Sequence, residues 1–595
     1  MKFALFENTQ DNNIESLIFT ELDQEITCSS LDNIDATYNK ITSLAKAGLY
    51  LIGYIAYDLI ENSVSNQPLI CYQAYKKLIK CANHDLINTL TNLGLISQAI
   101  NINPLEYIES ELNQSTYNDM YAKVQQNLKS GNSYQINLTH RFNVDLSSIN
   151  EFSLYYQLSR ANNVAYASYL HTQNEQIISI SPELFFHKIA DKIITKPMKG
   201  TSAASEDYLI NAKNATKLAN DQKNIAENLI IVDLLRNDLA KIANTNTVKV
   251  NKLFTIEKYS TVLQMTSEIE AQINTDISLQ TILKALFPCG SITGAPKKRT
   301  MELIQQIEKS KRGIYTGCIG YILPNNEMLF NVAIRTLTQN NHEQFAKLGA
   351  GGGITIQSNA SDEWAEIQTK LRFLTQFYHP EFKLVESVLI QHKQIKNLDL
   401  HLQRLKNSAD HLLFKCDINA IQHKIENYVI QHDLFNLEHI YKLRLELDYQ
   451  HNLLIEHIEI ETNNSIINLA LLTQKLNTQH FMFKYKTTSN LTRGIYTKLH
   501  NQYSNEGIDE IIYLNQDNQV TESRFHNLII NYAGRLITPP ISCGLLAGIY
   551  RHNMLERKTL TEEIITPEML NHAEEIYLCN DIRGLIKCNY TGIIN

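Results

Sequence analysis

The stretch Phe287–Tyr321 constrains the front of this chain more than any other. It reads F-P-C-G-S-I-T-G-A-P-K-K-R-T-M-E-L-I-Q-Q-I-E-K-S-K-R-G-I-Y-T-G-C-I-G-Y. Gly290, Ser291, Thr293, Gly294 and Pro296 crowd into one short loop. Bare backbone N–H groups and hydroxyls in such a loop can grip an anionic ligand. Pro296 stands where a helix can start, and Lys298 to Glu308 carries a helical pattern, so a loop followed by a basic helix is expected. Taken alone, a loop of this kind is as a rule only a turn; the length and order of the whole string set it apart.

At 595 residues the chain exceeds one ordinary core, and two or more domains are expected. Hydrophobic residues make up 44% and charged residues 19%, the balance of a soluble globular protein. A net charge of −8 without a long basic run argues against nucleic acid as a partner. No apolar run is long enough to span a bilayer, and Met1–Asn12 lacks the apolar core and cleavage site of a signal peptide. Nine scattered cysteines without a C-x-x-C pair suit a reducing compartment. A cytoplasmic protein with no membrane partner is the expectation.

Along the chain, Met1 to about Ile100 mixes strand and helix and includes the apolar run Tyr50–Tyr57. Asn83–Asn103, rich in Asn and Leu, reads as a connector or a loosely constrained helix. Helical periodicity over Tyr117–Leu128 ends at Ser130-Gly131-Asn132, and Tyr134–Phe142 alternates like a strand. Ile177–His187 and Lys192–Met198 read as paired strands, and Asp221–Leu239 as one helix. Ile314–Leu323 and Met328–Leu337 read as a hairpin around Pro324-Asn325-Asn326. Lys347–Ile356 reads as a glycine-broken strand and Asp362–Phe377 as a closing helix. Near His379-Pro380 the pattern restarts with a strand at Leu384–Ile390, a turn at Gln391–Lys393 and a helix at His401–Leu413. This order predicts α+β or α/β architecture with long antiparallel pairs, divided as 1–105, 106–378 and 379–595, with a short junction before the last part.

Glu363, Glu366 and Lys370 share one helix face by their spacing, and Glu227 lies on the Asp221–Leu239 helix. Spacing alone describes a solvated face; carboxylates converging from two helices would instead make a hard oxygen site suited to Mg²⁺. The Phe287–Tyr321 string resembles the signature of the chorismate-utilising enzymes: anthranilate synthase component I, aminodeoxychorismate synthase component I, and the isochorismate and salicylate synthases. That resemblance implies a two-sheet α/β sandwich that binds chorismate. D-Q-K-N-I-A-E-N-L-I-I-V-D-L-L-R-N-D-L is similar to the family helix whose glutamate binds Mg²⁺, which implies Glu227 as a ligand. D-E-W-A-E-I-Q-T-K is similar to the closing helix, which implies Glu366 as the other ligand with Glu363 beside it. Tyr315 and Arg335 match positions that hold the enolpyruvyl carboxylate. Gly351, Gly352 and Gly353 would bring backbone N–H groups to a carboxylate, with Lys370 adding charge and Ser291 and Thr293 completing the loop contacts.

Within that family, Lys196-Pro197-Met198-Lys199-Gly200-Thr201 discriminates. Anthranilate synthases carry alanine where Lys199 stands, whereas aminodeoxychorismate synthases carry lysine in P-I-K-G-T. The resemblance implies that Lys199 adds to the ring and expels its hydroxyl, that ammonia then displaces the lysine, and that Glu183, in S-P-E-L-F-F, protonates the departing hydroxyl. Gln135 sits where the water-using relatives place a lysine base, which disfavours water as nucleophile. Gln264 replaces a frequent histidine, and Ser202-Ala203-Ala204 replaces a more basic loop. Nothing resembles a glutamine amidotransferase, so ammonia is expected from a separate glutaminase subunit or from solution.

From about Phe382 the chain resembles the fold type IV pyridoxal-phosphate enzymes, a two-subdomain α/β module that includes aminodeoxychorismate lyase and the branched-chain and D-amino-acid aminotransferases. The resemblance rests on Leu384-Val385-Glu386-Ser387 and His401-Leu402-Gln403-Arg404-Leu405, and it implies Arg404 on the pyridoxal 5′-phosphate phosphate. Lys486, in F-K-Y-K-T-T-S-N, matches the lysine that carries the cofactor, with Lys484 as competitor two residues away. Glu522 matches the partner of the pyridinium nitrogen, and Gly548, Ile549 and Tyr550 match the turn that cups the phosphate. Tyr550 and Asn580-Asp581 replace more usual hydroxyl residues. A homodimer through this module is a further expectation.

Fusion favours a lyase, because such a module would consume the first module's product directly. The expected activity is conversion of chorismate and ammonia to aminodeoxychorismate, followed by pyruvate elimination to para-aminobenzoate for folate biosynthesis. The alternatives are an anthranilate synthase-like module fused to an aminotransferase, and a non-catalytic protein that binds chorismate and pyridoxal phosphate.

Overall fold

A computed structural model describes residues 2–10, 14–60, 67–96, 104–203, 208–258, 262–461, 466–503 and 507–594. The end of the Asn83–Asn103 segment, and Ala204 in the loop after Lys199, therefore lie outside the described residues; Leu86–Asn92 is a helix. The chain divides into two compact units, Met1–Tyr378 and His379–Asn595.

Tyr50–Ile55 shows how the first unit is built. Leu51 and Ile55 face a core shared with the helices Ile34–Lys46, Gln222–Ala240 and Leu279–Leu286. Ile52 and Tyr54 face a second core with Phe6, Phe19, Leu170 and Ile177 from other strands. Successive side chains point to opposite faces, and a strand buried on both must be apolar throughout, which accounts for the unbroken run from Tyr50. Its neighbours are Cys318–Ile322 and Ile70–Ala82. From Ile70–Ala82 the pairing continues through Glu15–Cys28, Ala4–Glu7, Tyr166–His171, Glu175–Ser181, Thr336–Asn340 and Ala346–Thr355 to Gln135–Val144. From Cys318–Ile322 it runs through Met328–Val332, Leu184–Ile189 and Lys192–Lys196 to Val262–Gln272. Each of these pairings is antiparallel. The strands fold over the second core and carry helices on the outer face, which is an α+β sandwich. Residues 1–105 supply central strands of this sheet and share its cores.

Three strand assignments change. Ile177–His187 is two strands, Glu175–Ser181 and Leu184–Ile189, which take different neighbours. Met328–Leu337 likewise breaks at Ala333–Arg335, where Arg335 adopts φ 49°. The two breaks lie side by side: Val332 N–H donates to Glu183 O at 3.0 Å and Ile180 N–H to Arg335 O at 3.0 Å. Such paired breaks lift Glu183 and Arg335 out of the ladder, a placement that an apolar pattern does not encode. Lys347–Ile356 is not broken. Ala346–Thr355 pairs residue for residue with Gln135–Val144, and that continuous partner overrides the low strand propensity of its glycines.

The loop at Gly290–Ala295 is fastened to the same strand. Gly294 pairs with Ile136, and a Cβ there would lie 1.9 Å from Gln135 O, so only glycine fits. Behind it, Glu308 accepts from Arg312 at 2.8 and 3.0 Å and from Thr139 N–H at 2.8 Å, with Arg141 Nη2 at 3.5 Å. Arg312 also donates to Ile292 O and Asn137 O, both at 2.8 Å. These side chains are nearly inaccessible, at 5% for Glu308 and 1% for Arg312. Replacing Glu308 by alanine strands two buried guanidinium groups, and it is expected to lower the unfolding free energy of the first unit by roughly 3–5 kcal/mol. Denaturant unfolding measures this, and a loss under about 1 kcal/mol would remove the network from its structural role.

In the second unit, Leu384–Gln391, Tyr441–Leu447 and Leu453–Glu459 form an antiparallel sheet with the short strand Gln394–Ile395. A mixed eight-stranded sheet follows, in which Ile467–Leu476 pairs in parallel with both Glu510–Asn515 and Gly584–Ile594. The segment between the sheets returns to the first: Val385 N–H donates to Lys486 O at 2.8 Å, and Thr488 N–H to Lys383 O at 3.0 Å.

Candidate active sites

In the first unit, Gly352 and Gly353 are the meeting point. A Cβ on Gly353 would lie 2.0 Å from Gln135 Nε2 and 3.2 Å from Lys199 Nζ. One on Gly352 would lie 3.0 Å from Glu363 Oε2, 3.5 Å from Lys370 Nζ and 3.6 Å from Glu366 Oε1. Side chains at these positions would crowd the groups that converge there, which come from two strands and the Ala360–Thr375 helix. Lys370 Nζ donates to Gly351 O at 2.8 Å and pairs with Glu366 Oε1 at 2.7 Å. Although burial pulls the Lys370 ammonium down, the Glu366 charge and hydrogen bond hold it above its ordinary range. Glu363 is buried, and its Oε1 accepts from Ser358 Oγ at 2.6 Å.

Glu183 is also buried, and its Oε1 has no hydrogen-bond partner among the described residues. Burial pushes its carboxyl above the ordinary range, while a Ser291 hydrogen bond, the Lys199 charge, the Met198 N–H and the Lys370 charge oppose the shift. Such a carboxyl holds a proton more readily than an exposed one, as a general acid must. Tyr315 packs its ring against Gly349, with the Arg141 guanidinium 5.1 Å from the ring centroid. Thr293 departs from expectation: its hydroxyl is turned to the Cys289 and Gly290 carbonyls at 3.3 and 3.2 Å, and the residue is fully buried. The loop is held by that hydroxyl, and Ser291 is the member that reaches Glu183.

At Gly352, Glu363 Oε2 and Glu366 Oε1 offer oxygen donors to Mg²⁺ beside Lys370 Nζ, but among the described residues no three acidic, His or Cys side chains form a group that could hold a metal. Glu227, half-buried, lies one turn beyond Asn224, whose side chain would stand 3.0 Å from a Cβ on Gly200. With Glu363 and Glu366 it makes no such three-residue group. These two alone still suit Mg²⁺, which characteristically takes one or two carboxylates and completes its shell with water and ligand oxygens.

In the second unit a cavity of about 940 Å³ is lined by Lys486, Arg404, Glu522, Gly548 and Ile549 among others. Lys484 is exposed and closes a 3₁₀ turn, so it does not share a strand face with Lys486, and of the two only Lys486 lines the cavity. Burial lowers the Lys486 ammonium to about 7; the Glu386 charge opposes the shift, while those of Arg404, Arg493 and Lys442 add to it. Glu522 is raised to about 7 by burial, and its Oε2 accepts from Leu546 N–H and Asn527 Nδ2, both at 3.2 Å.

Sequence reasoning gave Arg404 a phosphate role and passed over the residue that orients it. Glu386 clamps the guanidinium at 2.8 and 2.7 Å, and Arg404 Nη1 donates to Ala547 O at 3.0 Å. His401 Nδ1 reaches Glu386 at 2.7 Å, and its Nε2 reaches Asp581 at 3.1 Å. The signal lay in the quoted L-V-E-S string, whose glutamate alternates into an otherwise apolar strand. Because Ala547 precedes Gly548, the N-cap of the Ile549–Glu556 helix, Arg404 stands beside that helix start. A Cβ on Gly548 would lie 2.0 Å from Asn527 Oδ1, so a larger residue there would displace the amide that donates to Glu522. Tyr550 does not contribute its side chain: the ring packs with Ile529, Leu560 and Cys579. A lysine, a buried carboxyl and an arginine beside a helix N-terminus are a donor set that fits pyridoxal phosphate.

An α+β sandwich with carboxylates, a lysine and a buried acid around a glycine strand is thus joined to an α/β unit with a lysine-bearing anion cavity. The first matches the family model described as chorismate binding enzyme over residues 4–376, and the second that of amino-transferase class IV over 383–589. The chain belongs to the chorismate binding enzymes, with a class IV aminotransferase domain following in the same polypeptide. It is 39% identical over 263 residues to aminodeoxychorismate synthase component 1 of Escherichia coli (strain K12), covering 44% of this chain and 57% of that relative. The chain thus spans little more than half the length of that relative. Anthranilate synthase component 1 of Saccharolobus solfataricus is 32% identical over 347 residues, covering 56% of this chain and 81% of that protein. The structure of anthranilate synthase component I from Streptococcus pneumoniae TIGR4 shares the fold, with a TM-score of 0.53 at 23% identity over 61% of this chain and 92% of that one. Among the described residues no helix is long and apolar enough to cross a membrane.

In cofactor-free protein, amine-directed labelling of Lys486 is expected to rise with pH through a midpoint near 7, because the neutral amine is the reactive form. Peptide mass spectrometry across the pH range measures it. A midpoint near the ordinary lysine value of about 10 would show that Lys486 is solvated.

Proposed function

We propose that the chain makes para-aminobenzoate from chorismate and ammonia in two steps, one in each unit. The observation that carries the reading is Lys199 Nζ at the glycine strand, 3.2 Å from the Cβ position of Gly353, in the unit that also holds Glu183 and the Glu363–Glu366 pair. In the first step the Lys199 amine forms a C–N bond to the chorismate ring. The ring double bond shifts, the C–O bond to the ring hydroxyl breaks, and the Glu183 carboxyl supplies the proton that lets it leave as water. Ammonia then forms its own C–N bond and displaces Lys199, giving aminodeoxychorismate. Glu363 and Glu366 would hold Mg²⁺, whose charge neutralises a substrate carboxylate. Ammonia comes from a separate glutaminase, as the component 1 designation of the relatives suggests.

In the second step aminodeoxychorismate loses a ring proton and its C–O bond to the enolpyruvyl group, giving para-aminobenzoate and pyruvate. Pyridoxal phosphate, when bound, supplies an electron sink for the pair left by the ring proton. Arg404 and the N–H groups at Gly548 and Ile549 would hold its phosphate, and the Glu522 carboxyl its ring nitrogen. Lys486, with an amine near neutral pKa, is suited to take the ring proton and return one.

Full-length protein with chorismate, Mg²⁺, ammonium and pyridoxal phosphate is expected to release para-aminobenzoate and pyruvate together, followed by mass and fluorescence. Lys199→Ala should abolish or redirect amination, and Glu183→Gln should slow it by roughly 10²–10⁴-fold. Lys486→Ala should accumulate aminodeoxychorismate. Anthranilate as the wild-type product would defeat the role given to Lys199, and aminodeoxychorismate without pyruvate would return the second unit to transamination or to binding alone.

A further inference from the structure

The cavity of the second unit carries more positive charge than a bound phosphate accounts for. Eight Lys or Arg residues line it against three Asp or Glu, so it is built for anions. Arg404 is already held by Glu386 and Arg444 by Glu446, each at 2.7 Å. Among the described residues, Arg493 and Arg524 have no such clamp in hydrogen-bond range. Arg493 stands on a single turn of π-helix, Asn490–Gly494, a local irregularity frequent at functional sites. The guanidinium carbons of Arg493 and Arg524 lie 5.8 and 4.3 Å from the centroid of Phe525, so one ring supports both.

Three buried nitrogens in this group lack a hydrogen-bond partner among the described residues: Arg493 Nη1, Arg524 Nε and His526 Nε2. The His526 side chain is 6% exposed and lines the same cavity. Burial, and then the charges of Arg583, Arg493 and Arg524, lower its imidazole to about 3, so it is neutral at physiological pH and can present an N–H without adding charge. Two acidic groups face this wall: Glu522, whose charge acts on Arg493, and Glu510, which stands 4.0 Å from Arg524 Nη2 and from His526 Nδ1, too far for hydrogen bonds. Buried donors without acceptors are destabilising by about 1–3 kcal/mol each, more when charged, unless a ligand supplies the acceptor. A carboxylate does so, with two oxygens that match the guanidinium fork.

We infer that Arg493 and Arg524, supported by Phe525 and flanked by His526 Nε2, form a carboxylate-binding subsite for the substrate of the second unit. The subsite would take a carboxylate carried on a flat ring, since Phe525 is 53% exposed and offers apolar surface beside the two cations. The assignment rests on the reading of this unit as one that acts on a ring carboxylate, and it adds the residues that select it.

The test uses the full chain loaded with pyridoxal phosphate. Para-aminobenzoate and its neutral analogue para-aminobenzamide are titrated against wild type, Arg493→Gln and Arg524→Gln, while the cofactor absorbance reports occupancy. Each substitution is expected to weaken para-aminobenzoate by about 10–100-fold, the range for hydrogen bonds to charged groups, and to leave para-aminobenzamide and cofactor occupancy unchanged. If a glutamine variant does not fold, Arg493→Lys and Arg524→Lys, which keep the charge and lose the fork, should show a smaller loss confined to the carboxylate ligand. Equal losses for both ligands, loss of the cofactor, or no loss at all would each overturn the subsite. Should the same variants lose affinity for 2-oxo acids while wild type ignores para-aminobenzoate, the subsite stands and the lyase reading falls.

Discussion

The first site depends on the register between Gln135–Val144 and Ala346–Thr355. Asn137 pairs with Gly353, Leu138 with Gly352 and Gln135 with Thr355. A slip of one residue would send Gln135 to the opposite face and put a side-chain-bearing partner where the close approach to Gly353 occurs. Glycines have no side chains with which to choose a register, so the pairing must be fixed elsewhere. Apolar pairs outside the glycines fix it, Phe142 with Leu348 and Ile136 with Ile354, while the buried Glu308 holds the first strand to its loop: it takes the Thr139 N–H, and Arg312, which it also holds, reaches Asn137 O and Ile292 O. A buried ion network that specifies position more than it adds stability is a known use of such groups.

The two sites apply the same physics with opposite sign. Burial disfavours the charged form, so it raises the carboxyls of Glu183 and Glu522 and lowers the ammonium of Lys486. Each of these groups is thereby moved toward its neutral form, and Glu522 and Lys486, both at about 7, can donate or accept a proton near physiological pH. Neighbouring charge then sets how far the shift goes. Lys370, next to Glu366, is held charged despite its partial burial. It is therefore suited to bind an anion, whereas Lys486 is suited to chemistry.

What the sequence made legible follows from where periodicity carries information. The Gln222–Ala240 and Ala360–Thr375 helices lie within a residue or two of expectation, because both are long, periodic and capped by Asp221 and Asn359. The paired breaks at Pro182-Glu183 and Ala333–Arg335 were not legible. Each segment reads as one apolar strand, and only its change of neighbour reveals the interruption. The Lys484–Lys486 ambiguity had the same origin: spacing placed both on one strand face, but tertiary contacts wind Phe481–Lys484 into a turn. Glu386 was visible and unread, since a lone carboxylate in a strand carries no sign of the arginine it will meet from the Leu398–His411 helix.

Each candidate site is completed by residues of its own unit. The glycine-strand site draws its side chains from within Met1–Tyr378, and every residue lining the anion cavity lies within His379–Asn595. Neither therefore needs the other's side chains to assemble, and a substitution in one leaves the other's chemistry chemically intact. Joining them in one chain fixes their ratio at one to one, and a covalent link sets an effective concentration of one site with respect to the other. Under the proposed two-step reading, where the intermediate still carries an enolpyruvyl ether and an unaromatised ring, that covalent link is a physical advantage that requires no shared pocket.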